Sequence, residues 1–385
     1  MKTGITTMIN GGGLSISNEA LSETVNLHKF HPVFLRRKIT TWCIEGLSNI
    51  LNLEIGLSFV IVNFFFLFLS GVLIYFLSKQ ITQNSKFSLI SMIAYFLCFS
   101  NLFAFFPPVY TYDEPLQFCF ILSSLLLFFK NKYWWFIFLF SISLIIRESG
   151  VILLPGLFFV FIYNFKKSIT ENLKSLEFLK KTSGILIPIV VYLFYVYIIM
   201  VDNDSKHDSK QYFLQRFSYI KWNLQSFQFA IESICSMLLI YALPLYFLCY
   251  YYRNKKQVSV INSKLIKAFL ITLIINTLIV FLNTKAREVR LFVIPLFYFW
   301  PIFGAFFLND FKLLFNLSAY RSLLLNKTYV FYVVILNILT FIFSFVLYKP
   351  TSGPRLGVFN LYLFISFSII IAHFIINKSK PKTHQ

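Results

Sequence analysis

The chain has 385 residues, of which 58% are hydrophobic and only 13% are charged, and its mean hydropathy is +0.72. Soluble globular domains carry about 25% charged residues, so this composition excludes the ordinary soluble class and predicts an integral membrane protein. The 35 Lys and Arg against 15 Asp and Glu give a formal net charge of +20, which on so apolar a chain indicates anionic lipid or lipid phosphate as a partner rather than nucleic acid.

The first 56 residues contain no apolar run of the roughly 20 residues that a membrane helix needs. Within residues 34–51, however, a helix would gather five apolar or small side chains near one face, namely Leu35, Ile39, Trp42, Cys43 and Leu47. This pattern is typical of a helix lying in the membrane interface, and the alternative is an amphipathic turn in a disordered tail. We predict residues 1–56 as an extracytoplasmic segment, and we expect fuller relatives to possess a membrane helix before it.

Apolar segments then follow one another almost without interruption to the end of the chain. The hydropathy rule predicts about eleven transmembrane helices, at residues 57–77, 87–106, 116–129, 134–146, 151–163, 185–201, 230–252, 265–282, 291–307, 329–347 and 361–376. The predicted fold class is therefore all-α and polytopic, with one transmembrane helical domain at 57–377 and a cytoplasmic tail at 378–385.

The distribution of charge between the loops predicts their orientation. One set of alternating loops holds 20 of the 35 Lys and Arg with only Glu171, Glu177 and Asp310 beside them. By the positive-inside rule this face and the C-terminus are cytoplasmic, and most carboxylates lie on the opposite face. We expect the protein in a bacterial inner (plasma) membrane.

Asp113 and Glu114 are the first of three charged clusters at predicted outer helix ends. Pro115 suits the first turn of a helix, so both carboxylates would sit at its N-terminus, where the helix dipole favours anions and lowers their pKa. An ionised carboxylate there can act as a base toward an acceptor hydroxyl or hold a divalent cation. Simple N-terminal capping is the alternative.

The second cluster is Arg147 and Glu148, which lie in a tight hairpin between two apolar runs. The two side chains either pair with each other or with lipid headgroups, or they line a cavity beside Asp113. Pro155, just inside the next helix, favours a bend toward such a cavity.

The third cluster contains Lys285, Arg287, Glu288 and Arg290, and its three cations lie on the outer side against the positive-inside trend. Arginine presents a fork of donors that matches phosphate oxygens, so this local anomaly indicates a phosphate-binding site. Anchoring of a basic loop to headgroups is the alternative.

Four segments resemble motifs of the GT-C-type glycosyltransferases, polytopic enzymes that use polyprenyl-phosphate-linked sugars. YDEPLQFC resembles an Asp-x-Pro-Leu motif that opens a membrane helix, and RESGVILLPG resembles an Arg-Glu-x-x-x-Leu-x-x-Pro segment. REVRLFVIPLFYFWP is similar to the late outer loop, and HPVFLRRKITTW, with His31 and Arg36, is similar to the first outer loop. The four segments occur in the matching order over residues 29–301.

The resemblance implies an outer-face site that transfers a sugar from a lipid phosphate. By position Asp113 would be its second acidic residue, Arg147 and Glu148 would shape the cavity, and Arg287 and Arg290 would contact the donor phosphate. The family places its catalytic aspartate in the first outer loop, whereas this sequence has no Asp before Asp113. This departure fits the expected absence of a first helix.

The leading hypothesis is thus a glycosyltransferase in which the carboxylate of Asp113 or Glu114 is catalytic and assists the acceptor hydroxyl. Its substrate-binding residues would be His31, Arg36, Arg147, Glu148, Lys285, Arg287, Glu288 and Arg290, with a divalent cation as a candidate cofactor. A flippase for lipid-linked saccharides and an inactive, truncated family member are the alternatives.

Overall fold

The structure, a computed structural model, describes residues 18–30, 34, 36–102, 112–163, 168, 170–171, 175–202, 218–253, 259–349 and 357–379. Within these ranges the chain forms sixteen α-helices and no β-strand, which confirms the all-α fold class. The helices are α1 (Asn18–Phe30), α2 (Lys38–Leu51), α3 (Ile55–Thr82), α4 (Ser85–Leu97), α5 (Phe99–Leu102), α6 (Glu114–Phe129), α7 (Tyr133–Ile146), α8 (Leu154–Leu157), α9 (Leu176–Asp202), α10 (Tyr219–Asn223), α11 (Phe227–Arg253), α12 (Val260–Asn283), α13 (Leu296–Asp310), α14 (Leu317–Leu325), α15 (Lys327–Phe341) and α16 (Val358–Ser379).

Short segments of tighter or wider helix join several of these elements. Three are 3-10 helices, Glu148–Leu153, Val289–Phe292 and Phe311–Phe315, and two are π-helical turns, Phe158–Ile162 and Ile342–Leu347. In an apolar medium backbone groups must be paired within the chain, and helices achieve this locally.

Six helical segments are long and apolar enough to cross a membrane: Ile55–Thr82, Leu176–Ile199, Phe227–Arg253, Ile261–Asn283, Lys327–Leu347 and Val358–Lys378. Five shorter apolar helices are Ser85–Leu97, Glu114–Phe129, Tyr133–Ile146, Glu148–Ile162 and Leu296–Asn309. Each of the eleven segments predicted from hydropathy overlaps one of these helices. By length and composition the described part of the chain therefore has six candidate membrane spans, which supports an integral membrane protein.

Helix α13 belongs to the main buried cluster of the described residues. Its consecutive residues Phe297, Tyr298, Phe299 and Trp300 are all buried, which is unusual for one helix and requires neighbours on every side. Phe297 packs edge-on against Phe118 of α6 at 5.0 Å, and Trp300 packs edge-on against Tyr95 of α4 at 4.9 Å. The hydroxyl of Tyr298 donates to the carbonyl of Leu153 at 2.7 Å, so α13 also holds the segment that follows α7.

The peripheral helices present apolar side chains to their surroundings instead of burying them. No residue of α15 is buried, and only 17% of the apolar window of α9 lies inside the protein. Phe194 and Tyr197 of α9 are each more than 60% exposed. Such surfaces would be insoluble in water, and they fit contact with lipid chains.

Two helices of the N-terminal segment pack beside α3. Helix α2 falls within the predicted interfacial stretch and buries Thr40, Thr41 and Ile44, whereas Trp42, which the sequence placed on the apolar face, is 60% exposed. Helix α1, which the sequence pattern did not predict, buries Leu21, Val25 and His28. Both helices contact the residues just before α6, through His28 to Asp113 and Thr41 to Tyr112.

Candidate functional site

Asp113 is the residue immediately before α6, at the N-cap position, and its side chain is fully buried. It makes no capping hydrogen bond to the helix, so the capping alternative is wrong for this residue. The expected lowering of its pKa by the helix dipole is also wrong, because burial raises the pKa of Asp113 to about 7 against the opposing attraction of Arg37. The carboxyl group therefore titrates near neutral pH.

Two basic side chains flank this carboxyl group at distances too long for hydrogen bonds. Oδ2 of Asp113 lies 3.9 Å from Nη1 of Arg37 and 4.0 Å from Nδ1 of His28. Within the described residues neither oxygen of Asp113 has a hydrogen-bond partner. A buried carboxyl group without hydrogen bonds destabilises the fold. Its oxygens are, however, able to accept a hydrogen bond or a proton from a substrate, as is typical of functional sites.

The ring of His28 is held in place by aromatic stacking. It lies between Phe34, at 4.2 Å between ring centroids, and Tyr112, at 4.1 Å. The hydroxyl of Tyr112 shares a 2.8 Å hydrogen bond with Thr41 of α2. This arrangement ties α1 and α2 to the residue that precedes Asp113.

Glu148 binds two consecutive arginines from the start of α2. Arg37 donates to it through two nitrogens, Nη2 to Oε1 at 2.6 Å and Nε to Oε2 at 3.2 Å, and Arg36 donates to Oε1 at 3.4 Å. The paired fork of Arg37 fixes the orientation of its guanidinium group. Arg37 therefore bridges Glu148 and Asp113.

Glu114 is shared by two arginines from different parts of the chain. Arg147, which follows α7, forms an ion pair with it, and Nη1 of Arg290 lies 3.3 Å from its Oε1. Arg290 also pairs with Glu288 at 2.7 Å. Arg147 and Glu148 are adjacent in sequence but have different partners. Arg147 pairs with Glu114, and Glu148 pairs with the two arginines before α2.

These contacts join most of the predicted residues into one network, which we call the charged cluster. It contains four arginines and four carboxyl groups: Arg36, Arg37, Arg147, Arg290, Asp113, Glu114, Glu148 and Glu288. The starts of α2 and α6, the end of α7 and the segment before α13 meet there. Charges balance when Asp113 is ionised, and its protonation leaves one positive charge in excess.

Lys285 and Arg287 contact a different set of residues. The guanidinium of Arg287 lies 4.2 Å from the ring centroid of Trp222 and 3.9 Å from that of Phe229, and it pairs with Glu232 at 3.6 Å. Nζ of Lys285 lies 4.9 Å from the Trp222 ring. The three cations read as one phosphate site therefore divide between two places, and His31 lies outside the described residues.

Buried amides hold the backbone on both sides of the charged cluster. Gln117 of α6 donates to the carbonyl of Arg147 at 2.6 Å and accepts from the hydroxyl of Ser149 at 3.1 Å. Asn223 of α10 donates to the carbonyls of Phe281 and Thr284 and accepts from the N–H of Ala286. The charged side chains thus extend from backbone that is already fixed.

Sequence reasoning missed Arg37, His28, Tyr112 and Gln117. Arg37 could have been predicted, because it directly follows Arg36 in the sequence and carries the same charge. For His28 the sequence offers no clear signal, because the 13-residue helix that carries it has only a weak apolar face. A polar glutamine inside an apolar helix, as at Gln117, is a signal that could have been used.

The described residues contain no group of three or more His, Cys, Asp or Glu side chains that could hold a metal ion. Three of the four carboxyl groups of the charged cluster are instead engaged by arginines. This donor set is suited to anion chemistry around guanidinium groups, and the divalent cation stays an expectation from sequence. None of the protein-family models, curated proteins or solved structures compared with the chain matches it.

Proposed function

We propose that the chain is a membrane-embedded glycosyltransferase of the GT-C type, which moves a sugar from a polyprenyl-phosphate donor to an acceptor hydroxyl. The observation that carries this proposal is Asp113, a buried carboxyl group with a pKa raised by burial to about 7 and no hydrogen bond to either oxygen within the described residues. A base with a pKa near the working pH is the most efficient one for removing a proton from a hydroxyl group.

In the proposed reaction Asp113 accepts the proton of the acceptor hydroxyl. The acceptor oxygen forms a bond to the anomeric carbon of the sugar, while the bond from that carbon to the lipid phosphate breaks. The phosphate leaves with the bonding electron pair and carries the negative charge. Arg37, held 3.9 Å away by its fork to Glu148, keeps Asp113 from titrating higher still.

Arg290 is the residue best placed to receive the departing phosphate. It is the most exposed arginine of the charged cluster, at 27% against 23% for Arg36, 9% for Arg37 and 8% for Arg147, so it can reach a ligand at the rim. Its carboxyl partners Glu114 and Glu288 position the guanidinium group before the ligand arrives. Stabilisation of charge that develops on a leaving group is the largest single contribution in many enzymes.

The proposal includes the topology derived from the loops. Among the residues that the structure describes, six helices have the length to span a bilayer, and the five shorter apolar helices would complete eleven crossings. With the lysine-rich loops and the C-terminus in the cytoplasm, the charged cluster would face the extracytoplasmic side of a bacterial inner membrane. The donor would then enter from the lipid.

The test uses the full chain in proteoliposomes with labelled polyprenyl-phosphate sugars and a panel of sugar and glycan acceptors. Asp113→Asn should lower the rate of transfer by about 10²–10⁴-fold, and Arg290→Ala by about 10²–10³-fold. Glu54→Gln is the matched control, because Glu54 is an exposed carboxylate before α3 and lies outside the cluster.

Two outcomes would overturn the assignment. Transfer that proceeds at the parent rate in both cluster variants would remove these residues from the chemistry. Movement of labelled lipid between leaflets without any new glycosidic bond would instead identify a flippase whose path is lined by the same charges.

A further inference from the structure

A second polar site lies where α10 meets the loop that follows α12. It is an open groove of about 520 Å³ lined by Ser218, Tyr219, Lys221, Trp222, Gln225 and Lys285. The groove shares the loop after α12 with the charged cluster, but Lys285 is directed to Trp222 and Arg290 to Glu114. The two places therefore have separate ligand-facing side chains.

The groove carries positive charge that the described residues do not neutralise. Lys221 and Lys285 are both exposed, and within the described ranges neither has a carboxylate oxygen within 4.0 Å. Arg287 also lies against the Trp222 ring, but its charge is balanced by the buried Glu232. The hydroxyl groups of Ser218 and Tyr219 and the amide of Gln225 add neutral hydrogen-bond donors, so the groove suits an oxyanion.

The surroundings of the groove are apolar and exposed. Ile220 is 38% exposed, Leu224 53% and Phe227 78%. Phe227 is the first residue of one candidate membrane span, and Asn283, two residues before Lys285, is the last residue of another. The groove therefore lies at the level where the ends of spans meet headgroups, which is also where tryptophan and tyrosine concentrate in membrane proteins.

The walls of the groove are fixed to each other by one buried side chain. Asn223 of α10 donates to the carbonyls of Phe281 at 2.9 Å and Thr284 at 2.8 Å, and it accepts from the N–H of Ala286 at 3.0 Å. The residues before and after Lys285 are thereby held against α10. A preformed groove loses little entropy when a ligand binds.

We propose that this groove binds the phosphate of an anionic membrane lipid between Lys221 and Lys285, with the lipid chains running along Ile220, Leu224 and Phe227. An amphipathic ligand explains why two ammonium groups and an apolar rim occur together. Free phosphate would contact only the ammonium groups. The inference does not rest on the proposed transferase activity, since it concerns side chains outside the charged cluster.

Binding is measured by native mass spectrometry of the full chain, titrated with phosphatidylglycerol and, separately, with phosphatidylcholine. No sugar donor is present, so the result is independent of catalysis. The double variant Lys221→Gln/Lys285→Gln should bind phosphatidylglycerol about 30-fold more weakly, because each lysine near a membrane surface contributes on the order of a few-fold to tenfold in affinity for anionic lipid. The control Lys130→Gln/Lys132→Gln removes two exposed lysines from the loop between α6 and α7 and should leave the affinity unchanged.

Two further measurements distinguish a lipid phosphate from free phosphate and check that the variants fold as the parent does. Inorganic phosphate at millimolar concentration should displace little phosphatidylglycerol, and thermal unfolding of the lysine variants should match the parent. Equal affinity in the groove variant and the control, or full displacement by inorganic phosphate, would overturn the proposal of a lipid site. A single Leu224→Gln variant with weakened lipid binding and unchanged unfolding would support the apolar rim independently.

Discussion

Nη1 of Arg37 lies 3.9 Å from Oδ2 of Asp113, close enough for electrostatic attraction and too far for a hydrogen bond. Arg37 cannot move closer without giving up its fork to Glu148, whose two contacts are 2.6 and 3.2 Å. Glu148 thus holds the cation at a distance that leaves Asp113 with a high pKa, because the burial of Asp113 outweighs the attraction. The charge state of the central carboxyl group follows from this competition.

The high pKa of Asp113 predicts how stability depends on pH. Its ordinary value is 3.8 and its folded value is about 7, so the folded state binds the proton more tightly than the unfolded state. The fold should therefore lose stability as pH rises from about 4 to about 7, by up to about 4 kcal/mol from this group. Asp113→Asn should remove that part of the slope in thermal unfolding between pH 5 and pH 8.

Glu54→Gln is the comparison for this measurement, because it removes an exposed carboxylate at the start of α3. Its unfolding should follow the pH dependence of the parent. If Asp113→Asn kept the parent slope, Asp113 would have an ordinary pKa in the folded protein.

Replacing Glu148 by Gln should destabilise the fold strongly. The substitution leaves the guanidinium of Arg37, only 9% exposed, with Asp113 at 3.9 Å as its remaining carboxyl partner. Breaking one side of a fully buried pair costs about 3–5 kcal/mol, and Glu148 is 28% exposed, so we expect a cost of about 3 kcal/mol. Glu288→Gln is the matched change, because Glu288 pairs with Arg290 where both side chains are about 30% exposed. That change should cost about 1 kcal/mol or less.

Chemical unfolding in detergent compares Glu148→Gln with Glu288→Gln. The single variant Arg37→Gln and the double variant Arg37→Gln/Glu148→Gln complete a double-mutant cycle. The double change should cost less than the sum of the two single changes, because each single change removes the forked ion pair and leaves the other charge with only a weaker contact, Arg36 for Glu148 and Asp113 for Arg37. Strict additivity would mean that Arg37 and Glu148 act independently.

The apolar helices and most residues of the charged cluster could be predicted from the sequence, whereas helix α1 and the pairing of charges within the cluster could not. Long apolar runs specify helices in lipid regardless of tertiary detail, so every predicted span overlaps an apolar helix. Asp113, Arg147 and Arg290 could be predicted because each is a charged residue at the end of an apolar segment. The chain reverses direction between successive membrane helices, so alternate helix ends lie on the same side of the bundle. The choice between Arg36 and Arg37, the burial of Asp113 and the separation of Lys285 from Arg290 depend on side-chain packing between helices that are distant in sequence.

Gly304 of α13 should not tolerate a side chain. A Cβ atom there would overlap the carbonyl oxygen of Phe87 in α4, and the neighbouring atom is backbone, which cannot rotate away. The N–H of Gly304 also donates to Ser91 of α4 at 3.0 Å. Small residues permit this close approach of membrane helices, so Gly304→Ala should cost about 1–3 kcal/mol in unfolding measurements.

Gly46→Ala supplies the control for that change. Gly46 lies within α2, and a Cβ atom there would meet nothing within 4 Å. Alanine favours a helix interior by about 0.5–1 kcal/mol over glycine, so this variant should be neutral or slightly stabilised. A similar loss of stability in both variants would contradict the close approach of α13 and α4.

Asn223→Asp should loosen the loop that separates the groove from the charged cluster. The carboxylate can still accept from the N–H of Ala286, but it cannot donate to the carbonyls of Phe281 and Thr284. Two partly buried carbonyls then lose their donor, at about 1 kcal/mol each. Hydrogen–deuterium exchange should rise at residues 284–291, whereas Asn337→Asp on the exposed helix α15 should leave that loop unchanged. Because the same loop carries Lys285 toward the lipid groove and Arg290 toward Glu114, the Asn223 variant should weaken both sites together, while the lysine variants affect only the groove.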